Sequence, residues 1–147
     1  MTAYVDSKAA REALSELGAG IQQAASLALK AAVKASEESV RGTSLYRDRT
    51  GATRASLTSA VSGLTGSVSS GKSTRFLEFG TRPHVIEARG GGMLRFVMSG
   101  QVMFRRRVQH PGTSPRPFMQ VAQAIGWQAA DYAGEFYADF AIHRYNA

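Results

Sequence analysis

The sequence predicts an α+β fold with a long N-terminal helix, a central antiparallel β meander and a C-terminal amphipathic helix packed on the sheet. The helices are predicted because apolar residues recur at three- and four-residue steps near both ends of the chain. The meander is predicted because the apolar period falls to two between them, with glycine-rich turns separating short runs. The 147 residues suffice for one domain, comprising a helix over 1–42, a turn and β-sheet region over 43–112 and a helix over 113–147.

The composition excludes several classes of protein. The absence of cysteine excludes disulfide scaffolds, thiolate zinc sites and thiol nucleophiles, and is compatible with a reducing compartment. No apolar run approaches a membrane span and the N-terminus lacks the layout of a secretory signal, so we expect no membrane contact and a chain that stays in the cytoplasm where it is made. The net charge of +7 indicates an anionic neighbour, either nucleic acid or an acidic protein face, or else serves solubility alone.

The N-terminal helix is predicted to run from a cap at Asp6 or Ser7 to about Val40. Gly18 and Gly20 interrupt its apolar pattern, and we expect them to bend or split it. The apolar stripe is rich in small residues, which permit close approach of a sheet or of a neighbouring copy's helix, with packing inside the chain as the default. Its members are Leu14, Leu17, Ile21, Ala25, Ala28 and Ala32.

The middle of the chain is predicted to be mainly strands and turns. Thr50-Gly51 marks a turn, and residues 52–59 form a short helix or the entry to a strand, which the sequence alone does not separate. From Val61 onward the period of two predicts strands, and glycine and serine at 69–73 predict a hairpin tip. The predicted strands cover 64–68, 75–79, 84–88, 93–98 and 102–108, with a flexible loop at 89–92 and a turn at 99–101.

The C-terminal helix is predicted to follow a cap region at Ser114, with Pro115 and Pro117 in its approach and first turn. Its apolar residues step by 3-4-4-3-4-4, which is typical of a core face or a subunit interface rather than of a cofactor site. The stripe consists of Phe118, Val121, Ile125, Ala129, Tyr132, Phe136 and Phe140.

The segment GSVSSGKST, residues 66–74, matches the nucleotide-binding pattern G-x-x-x-x-G-K-[ST]. Such a loop needs a buried strand before it and a helix after it that points its N-terminus at the phosphates. The preceding residues are polar and broken by glycine, Gly80 and Pro83 leave no room for the helix, and no later aspartate follows an apolar strand to bind magnesium. We therefore predict a chance match in a glycine- and serine-rich turn, no cofactor and no enzymatic activity. The matching residues are Gly66, Gly71, Lys72 and Ser73.

The histidines and serines do not form a recognisable catalytic or metal-binding pattern. His84, His110 and His143 lack H-x-x-x-H spacing, and the nearest carboxylate in sequence is Glu87, so we expect no metal site. His84 and His110 each adjoin a proline turn, which indicates hydrogen bonding within a loop. No G-x-S-x-G elbow occurs, and no catalytic residue is predicted.

Four arginines are candidate contacts to nucleic acid or to an acidic partner. Arg105, Arg106 and Arg107 lie in an alternating strand, so the first and third are predicted on one face and the second on the other, with Arg95 as a possible cross-strand neighbour. A solvated strand face and a phosphate-contacting stripe both remain open, although aromatic residues for stacking bases are not interleaved.

FLEFGTRPHVIEA at residues 76–88 and VMFRRRVQHPGTSPRPFM at residues 102–119 together resemble the signature of a family of tail-component proteins from long-tailed, lambdoid-type bacteriophages. FLEFGTRPHVIEA, residues 76–88, followed by MLRF, is similar to the family's E-x-G-T-x-P-H segment and L-x-F strand. VMFRRRVQHPGTSPRPFM, residues 102–119, is similar to its F-x-R-x-V strand and H-P-G-T-x-P-x-P-F segment. RTGATRASL, residues 49–57, is similar to its R-T-G-x-L-R-x-S element, with Thr53 where leucine is usual. The resemblance runs from about residue 45 to 125, in the family's order.

The resemblance implies a non-enzymatic structural protein of the neck or tail completion region, where the head connector meets the tail. It implies a homo-oligomeric ring, commonly sixfold or twelvefold, around the DNA channel, with the head connector or stopper and the tail terminator or tail tube proteins as partners. It also implies a virion protein that is made and assembled in the cytoplasm of the host bacterium. The alternative function, indicated by the basic charge and the arginine run, is a small nucleic-acid-binding domain.

The turns of the two segments combine glycine, which accepts unusual backbone angles, with proline, which fixes φ. We therefore assign them to a structural corner or docking surface, with turn formation alone as the alternative. The residues are Glu78, Gly80, Thr81, Pro83, His84, His110, Pro111, Gly112 and Pro117.

Overall fold

A computed structural model describes residues 7–143, along which four helices and six strands follow one another. The predicted α+β class is confirmed: long helices lie at both ends, and short antiparallel strands lie between them. The helices are α1 Lys8–Gly42, α2 Ala52–Ala55, α3 Thr74–Glu78 and α4 Phe118–His143. The strands are β1 Thr58–Ser62, β2 Thr65–Ser69, β3 His84–Glu87, β4 Leu94–Met98, β5 Gln101–Arg105 and β6 Arg107–His110.

The chain divides into two compact units. The first, here called the helical unit, comprises the chain up to Gly71 and from Phe118 onward, and so contains α1, α2, β1, β2 and α4. The second, here called the β unit, is Lys72–Pro117. No helix in the part of the chain that the structure describes is long and apolar enough to cross a membrane.

The helical unit is built on α1, which packs against α4 and against the β1–β2 hairpin. Ala24 and Ala28 of α1 and Ala122 and Ala133 of α4 are buried. Ser36 supports the same contact, because its hydroxyl donates to the carbonyl oxygen of Ala122 at 3.0 Å. The helix pair is therefore joined by small side chains. Of the predicted stripe, Ala28 is buried in this contact, whereas Ala25 is exposed and Ala24 is buried instead.

Gly126 allows the two helices to approach closely. A Cβ at this position would lie 3.0 Å from the carbonyl oxygen of Ala32 and would overlap the hydroxyl of Ser36. Gly134 instead faces Ala28, one turn earlier in α1, so the two helices run antiparallel.

The N-terminal half of α1 differs from its prediction in two respects. The helix continues without interruption through Gly18 and Gly20, which do not split it; the cost of about 1 kcal/mol per glycine is small against the many hydrogen bonds of a long helix. Leu14 and Ile21 of the predicted stripe are exposed. Ser7 occupies the N-cap position without a side-chain capping bond, and Asp6 lies outside the described residues.

The β1–β2 hairpin turns at residues 63–64, with Gly63 at φ 55°. The predicted hairpin tip at 69–73 is therefore wrong, and the first predicted strand is shifted by one residue, to Thr65–Ser69. The open question over 52–59 is also answered, since a short helix, Ala52–Ala55, is followed by the start of β1 at Thr58. Glu37 of α1 ties down the hairpin by accepting a hydrogen bond from the Ser59 hydroxyl at 2.6 Å.

The β unit consists of a short helix followed by two antiparallel pairs, β3 with β6 and β4 with β5. The predicted strand at 75–79 is wrong, because these residues lie in α3, where Thr74 and Glu78 are one helical turn apart and both buried. The β4–β5 hairpin turns at Ser99 and Gly100, as predicted, both with positive φ. The predicted strand at 102–108 is split at Arg106, whose carbonyl oxygen accepts from the Ala88 amide at 2.9 Å.

Candidate functional site

The predicted corner residues from the two signature segments meet inside the β unit. Thr81 and Thr113 form an antiparallel bridge, in which the Thr81 amide donates to the Thr113 carbonyl at 2.9 Å and the Thr113 amide donates back at 3.1 Å. Arg116 extends this connection, since its amide donates to the carbonyl of Leu77 at 2.9 Å. The two segments are therefore joined by backbone hydrogen bonds at the bridge and beyond it.

Gly80 and Gly112 occupy equivalent positions, each directly before one of the bridged threonines. Their φ angles are 70° and 90°, in the region that glycine adopts without steric cost. A Cβ at Gly80 would overlap the carbonyl oxygen of Thr113, and a Cβ at Gly112 would overlap that of Thr81. Both positions thus require glycine for the backbone angle and for space. A repeat of the pattern G-T-x-P, at 80–83 and 112–115, is the sequence signal of this pairing.

His84 and His110 lie opposite each other in the β3–β6 register, with ring centroids 5.0 Å apart. His84 Nδ1 lies 2.9 Å from the carbonyl oxygen of Arg82, and the Gly112 amide donates to His110 Nδ1 at 3.1 Å. Because a carbonyl only accepts and an amide N–H only donates, His84 carries its hydrogen on Nδ1 and His110 on Nε2. The predicted hydrogen bonding of both histidines is confirmed, but each lies at the end of a strand rather than in a loop. The side chain of His143 lies outside the described residues.

The remaining corner residues fall into a buried and an exposed group. Glu78 is buried at the end of α3, and the Thr81 hydroxyl is buried without a hydrogen-bond partner. The prolines of the corner are exposed and form its outer edge. They are Pro83, Pro111 and Pro117.

Both glycines of the nucleotide-binding pattern make contacts that stabilise the fold. A Cβ at Gly66 would lie 2.5 Å from Val33 Cγ2, so this glycine serves the packing of β2 on α1. The Gly71 amide donates to the Ser56 hydroxyl at 3.0 Å instead of pointing to an open loop. Lys72 is exposed.

The surroundings of the pattern also differ from those of a phosphate-binding loop. The preceding strand belongs to a two-stranded antiparallel hairpin, and the following helix, α3, has five residues. Both differ from the buried strand and long helix that hold phosphates. Among residues 7–143, no group of three or more His, Asp or Glu side chains could hold a metal ion.

The structure separates the four candidate arginines. Arg95 lies opposite Phe104, and Arg105 lies opposite Leu94, so Arg95 and Arg105 occupy opposite faces of the β4–β5 hairpin. Arg107 pairs with Glu87 at 3.3 Å, both groups being exposed. Because the strand breaks at Arg106, the four side chains do not form a continuous cationic stripe.

Comparison of the chain with protein-family models, with curated proteins and with solved structures gives no match. The resemblance to phage tail-component proteins therefore depends on the quoted motifs. The function of those proteins is therefore only a proposal for this chain.

The apolar stripe predicted along α4 is mostly exposed after its first residue, with Ala129 half-buried. Phe118 is fully buried, whereas Tyr132, Phe136 and Phe140 are 76%, 60% and 66% exposed. The physical reason is that α1 offers a surface of alanines, onto which the glycine and alanine side of α4 packs more closely than an aromatic side could. The sequence pattern left two roles open for the stripe, a core face or a subunit interface. The structure shows that these three aromatic residues are not part of the core.

An acidic row runs beside the exposed aromatic residues of α4. Asp131, Glu135 and Asp139 recur at four-residue steps, as Tyr132, Phe136 and Phe140 do, and α4 contains no lysine or arginine. Tyr132 and Glu135 are three residues apart, as are Phe136 and Asp139, and residues at this spacing are neighbours on a helix surface. The two rows therefore lie side by side. We call these six residues the acidic-aromatic face.

The net positive charge of the chain lies entirely in the β unit. Lys72–Pro117 contains nine basic and two acidic residues, which give +7, the whole net charge. The rest of the chain contains nine of each sign. The anionic neighbour that the composition indicates is thus expected at the β unit.

Arg54 is a structural residue that the sequence patterns did not single out. Its guanidinium donates to the carbonyl oxygens of Arg41 and Thr43, at 2.9 and 2.8 Å, and so caps the C-terminus of α1. It also lies 5.3 Å from the centre of the Tyr46 ring, which in turn packs 4.6 Å from the ring of Phe118. The available signal was the second arginine of the R-T-G-x-x-R element, which binds the C-terminus of α1.

Proposed function

We propose that the chain is a non-enzymatic structural protein of a bacteriophage virion, and that it forms a homo-oligomeric ring in the neck or tail completion region. In this role it joins the head connector or stopper to the tail terminator or tail tube. The sequence motifs supply the family. The observation that supports assembly is the exposed aromatic row of α4, Tyr132, Phe136 and Phe140.

The exposed row favours association because it leaves a large apolar area in water. Burying one side chain of this size contributes roughly 1.5–3 kcal/mol. Monomeric proteins rarely leave a contiguous apolar patch of this kind uncovered, and such patches mark interaction sites. A ring subunit has a reason to keep the row outside its own core, since a neighbouring copy covers it.

The bridged corner supports the same proposal by fixing the direction of the strands that leave it. Gly80 and Gly112 each face the other segment's backbone, so the two segments are held together directly beside the paired strands β3 and β6. A subunit that must repeat the same contact around an axis needs such a fixed geometry.

The test is the mass of the purified full-length chain by light scattering, alone and mixed with the head connector and tail tube proteins of the same phage. We expect a ring in at least one of these conditions. Phe136→Ser should reduce assembly, whereas Gln123→Ser, an exposed substitution on the same helix, should not. A chain that stays monomeric in every mixture and binds neither partner would contradict the proposal.

A second candidate function is binding of nucleic acid, which the concentration of +7 in the β unit favours. The ion pair of Arg107 and the separation of Arg95 from Arg105 favour it less. If it is right, DNA affinity should fall steeply with salt, and replacing Arg105, Arg106 and Arg107 with glutamine should weaken it. Absence of DNA binding at low salt would exclude this function.

A further inference from the structure

We infer that the exposed face of the β4–β5 hairpin of one copy packs on the acidic-aromatic face of α4 in the next copy. This inference depends on the proposed homo-oligomeric assembly and names the two surfaces that would form it. The occupant of the α4 face is thus a second copy of this chain.

The hairpin offers a face that combines apolar groups with a cation. In the β4–β5 register Arg95 lies opposite Phe104 and Val97 lies opposite Val102, so these four side chains occupy one face of the hairpin. All four are exposed. We call them the hairpin face.

The acidic-aromatic face of α4 has the complementary composition. Its aromatic row supplies the apolar area, and Asp131 and Glu135 supply exposed negative charge beside it. The β unit that presents the hairpin face has a net charge of +7, whereas α4 has three acidic residues and no lysine or arginine. Attraction between the two surfaces is therefore both electrostatic and hydrophobic.

The charges also decide against the two symmetric alternatives. Packing of α4 on α4 would place the acidic rows of two copies together, and packing of hairpin on hairpin would place two strongly basic β units together. Juxtaposed like charges at an interface oppose association. A contact between two different surfaces, repeated from copy to copy, closes into a ring when its rotation permits.

The hairpin face matches part of the aromatic row of α4 in length. From Tyr132 to Phe140 the helix rises about 12 Å, at about 1.5 Å per residue. From Arg95 to Val97 the hairpin face extends about 7 Å, at about 3.3 Å per residue. One hairpin face can therefore cover two successive rings of the aromatic row, which lie about 6 Å apart along the helix.

Charge reversal on the full-length chain tests the inference. Arg95→Glu and Glu135→Arg should each raise the concentration needed for assembly about tenfold or more, because each places like charges at every contact. An equal mixture of the two variants should restore assembly, since alternating copies then pair the introduced glutamate with the introduced arginine, and native Arg95 with native Glu135. Arg11→Glu and Glu16→Arg, exposed positions on α1, give the same changes in net charge as controls.

Sedimentation of each variant and of the mixture, with and without the neck partners, provides the measurement, and circular dichroism verifies that each variant folds. If the wild type assembles and both charge reversals leave its assembly unchanged, this inference is overturned. The same holds if the mixture of the two variants fails to restore assembly. Either result leaves the ring proposal standing. Wild-type copies that never associate overturn both. Loss of DNA binding in Arg95→Glu with assembly intact assigns the hairpin face to nucleic acid instead, and also overturns the inference.

Discussion

Thr81 and Thr113 join the two signature segments of the β unit through a reciprocal pair of backbone hydrogen bonds. The residue before each threonine is a glycine whose missing side chain leaves space for the opposite carbonyl oxygen. The corner therefore depends on the absence of two Cβ atoms, which makes it sensitive to very small substitutions.

Gly112→Ala should destabilise the chain by about 2 kcal/mol or more, because alanine both resists positive φ and collides with the backbone at Thr81. Gly100→Ala is the matched control, since Gly100 also has positive φ, 79°, but nothing lies near its Cβ position; its cost should be about 1 kcal/mol. Urea unfolding of both variants measures the difference. Equal losses would show that the close approach in the corner is unimportant.

Gly126→Ala should destabilise the helical unit by about 1–3 kcal/mol, because the added methyl group pushes α4 away from Ser36 and Ala32. Gly134→Ala places its methyl group in ordinary contact, 3.9 Å from Ala28, and should be neutral or stabilise by up to about 1 kcal/mol through helix propensity. Thermal unfolding distinguishes the two variants. A stabilised Gly126→Ala would contradict the close pairing of α1 and α4.

Gly66→Ala should destabilise the fold and Lys72→Ala should not, because Gly66 is a packing residue and Lys72 is exposed. The alanine at 66 collides with Leu29 and Val33 and should lower the free energy of unfolding by about 1–3 kcal/mol. Removal of the exposed Lys72 side chain should change it by less than about 0.5 kcal/mol. Calorimetric titration with ATP and GTP should show no binding to the wild type, and binding abolished by Lys72→Ala would show that the loop holds a nucleotide after all.

Tyr46→Phe should leave stability unchanged or increase it by about 1 kcal/mol, because the Tyr46 hydroxyl is buried without a hydrogen-bond partner. Burial raises the pKa of this hydroxyl above its ordinary value of 10.0, with Arg54 acting in the opposite direction. The raised pKa means that the folded state holds the proton more tightly. Stability is therefore complete below about pH 10 and declines as the pH rises through the folded-state pKa.

Unfolding measured between about pH 8 and 11 checks this dependence, with Tyr132→Phe, at an exposed position, as control. The decline above about pH 10 should be smaller in Tyr46→Phe than in the wild type and unchanged in the control. An identical decline in all three chains would show that Tyr46 does not cause it.

The two long helices and the β4–β5 turn could be predicted because their signals are local. Periodic apolar steps extend over many residues in α1 and α4, and Ser99-Gly100 is a turn in almost any context. The short α3 could not be predicted in this way. RFLEF is short and rich in aromatic residues, as strands often are, but in the folded chain burial of Thr74 and Glu78 one turn apart favours the helix.

The inward face of α4 could not be predicted because two faces of this helix have helical periodicity. The aromatic row has the larger hydrophobicity, whereas the row of Ala122, Gly126 and Ala133 has the smaller volume. Which one packs inward depends on α1, whose buried positions against α4 include alanines, and no single-helix pattern contains that information. The corner residues could be identified in the sequence. Their reciprocal bridge could not, because it forms only when two segments about thirty residues apart in sequence meet.

The alanine and glycine seam between α1 and α4 also affects how the chain should respond to heat. Among the described residues, the large side chains that are fully buried are Phe118 and Val40, and methyl groups remove far less apolar area from water than leucine or phenylalanine would. An isolated copy is therefore expected to melt at a modest temperature. Because association favours the folded form by mass action, its melting temperature should rise with protein concentration.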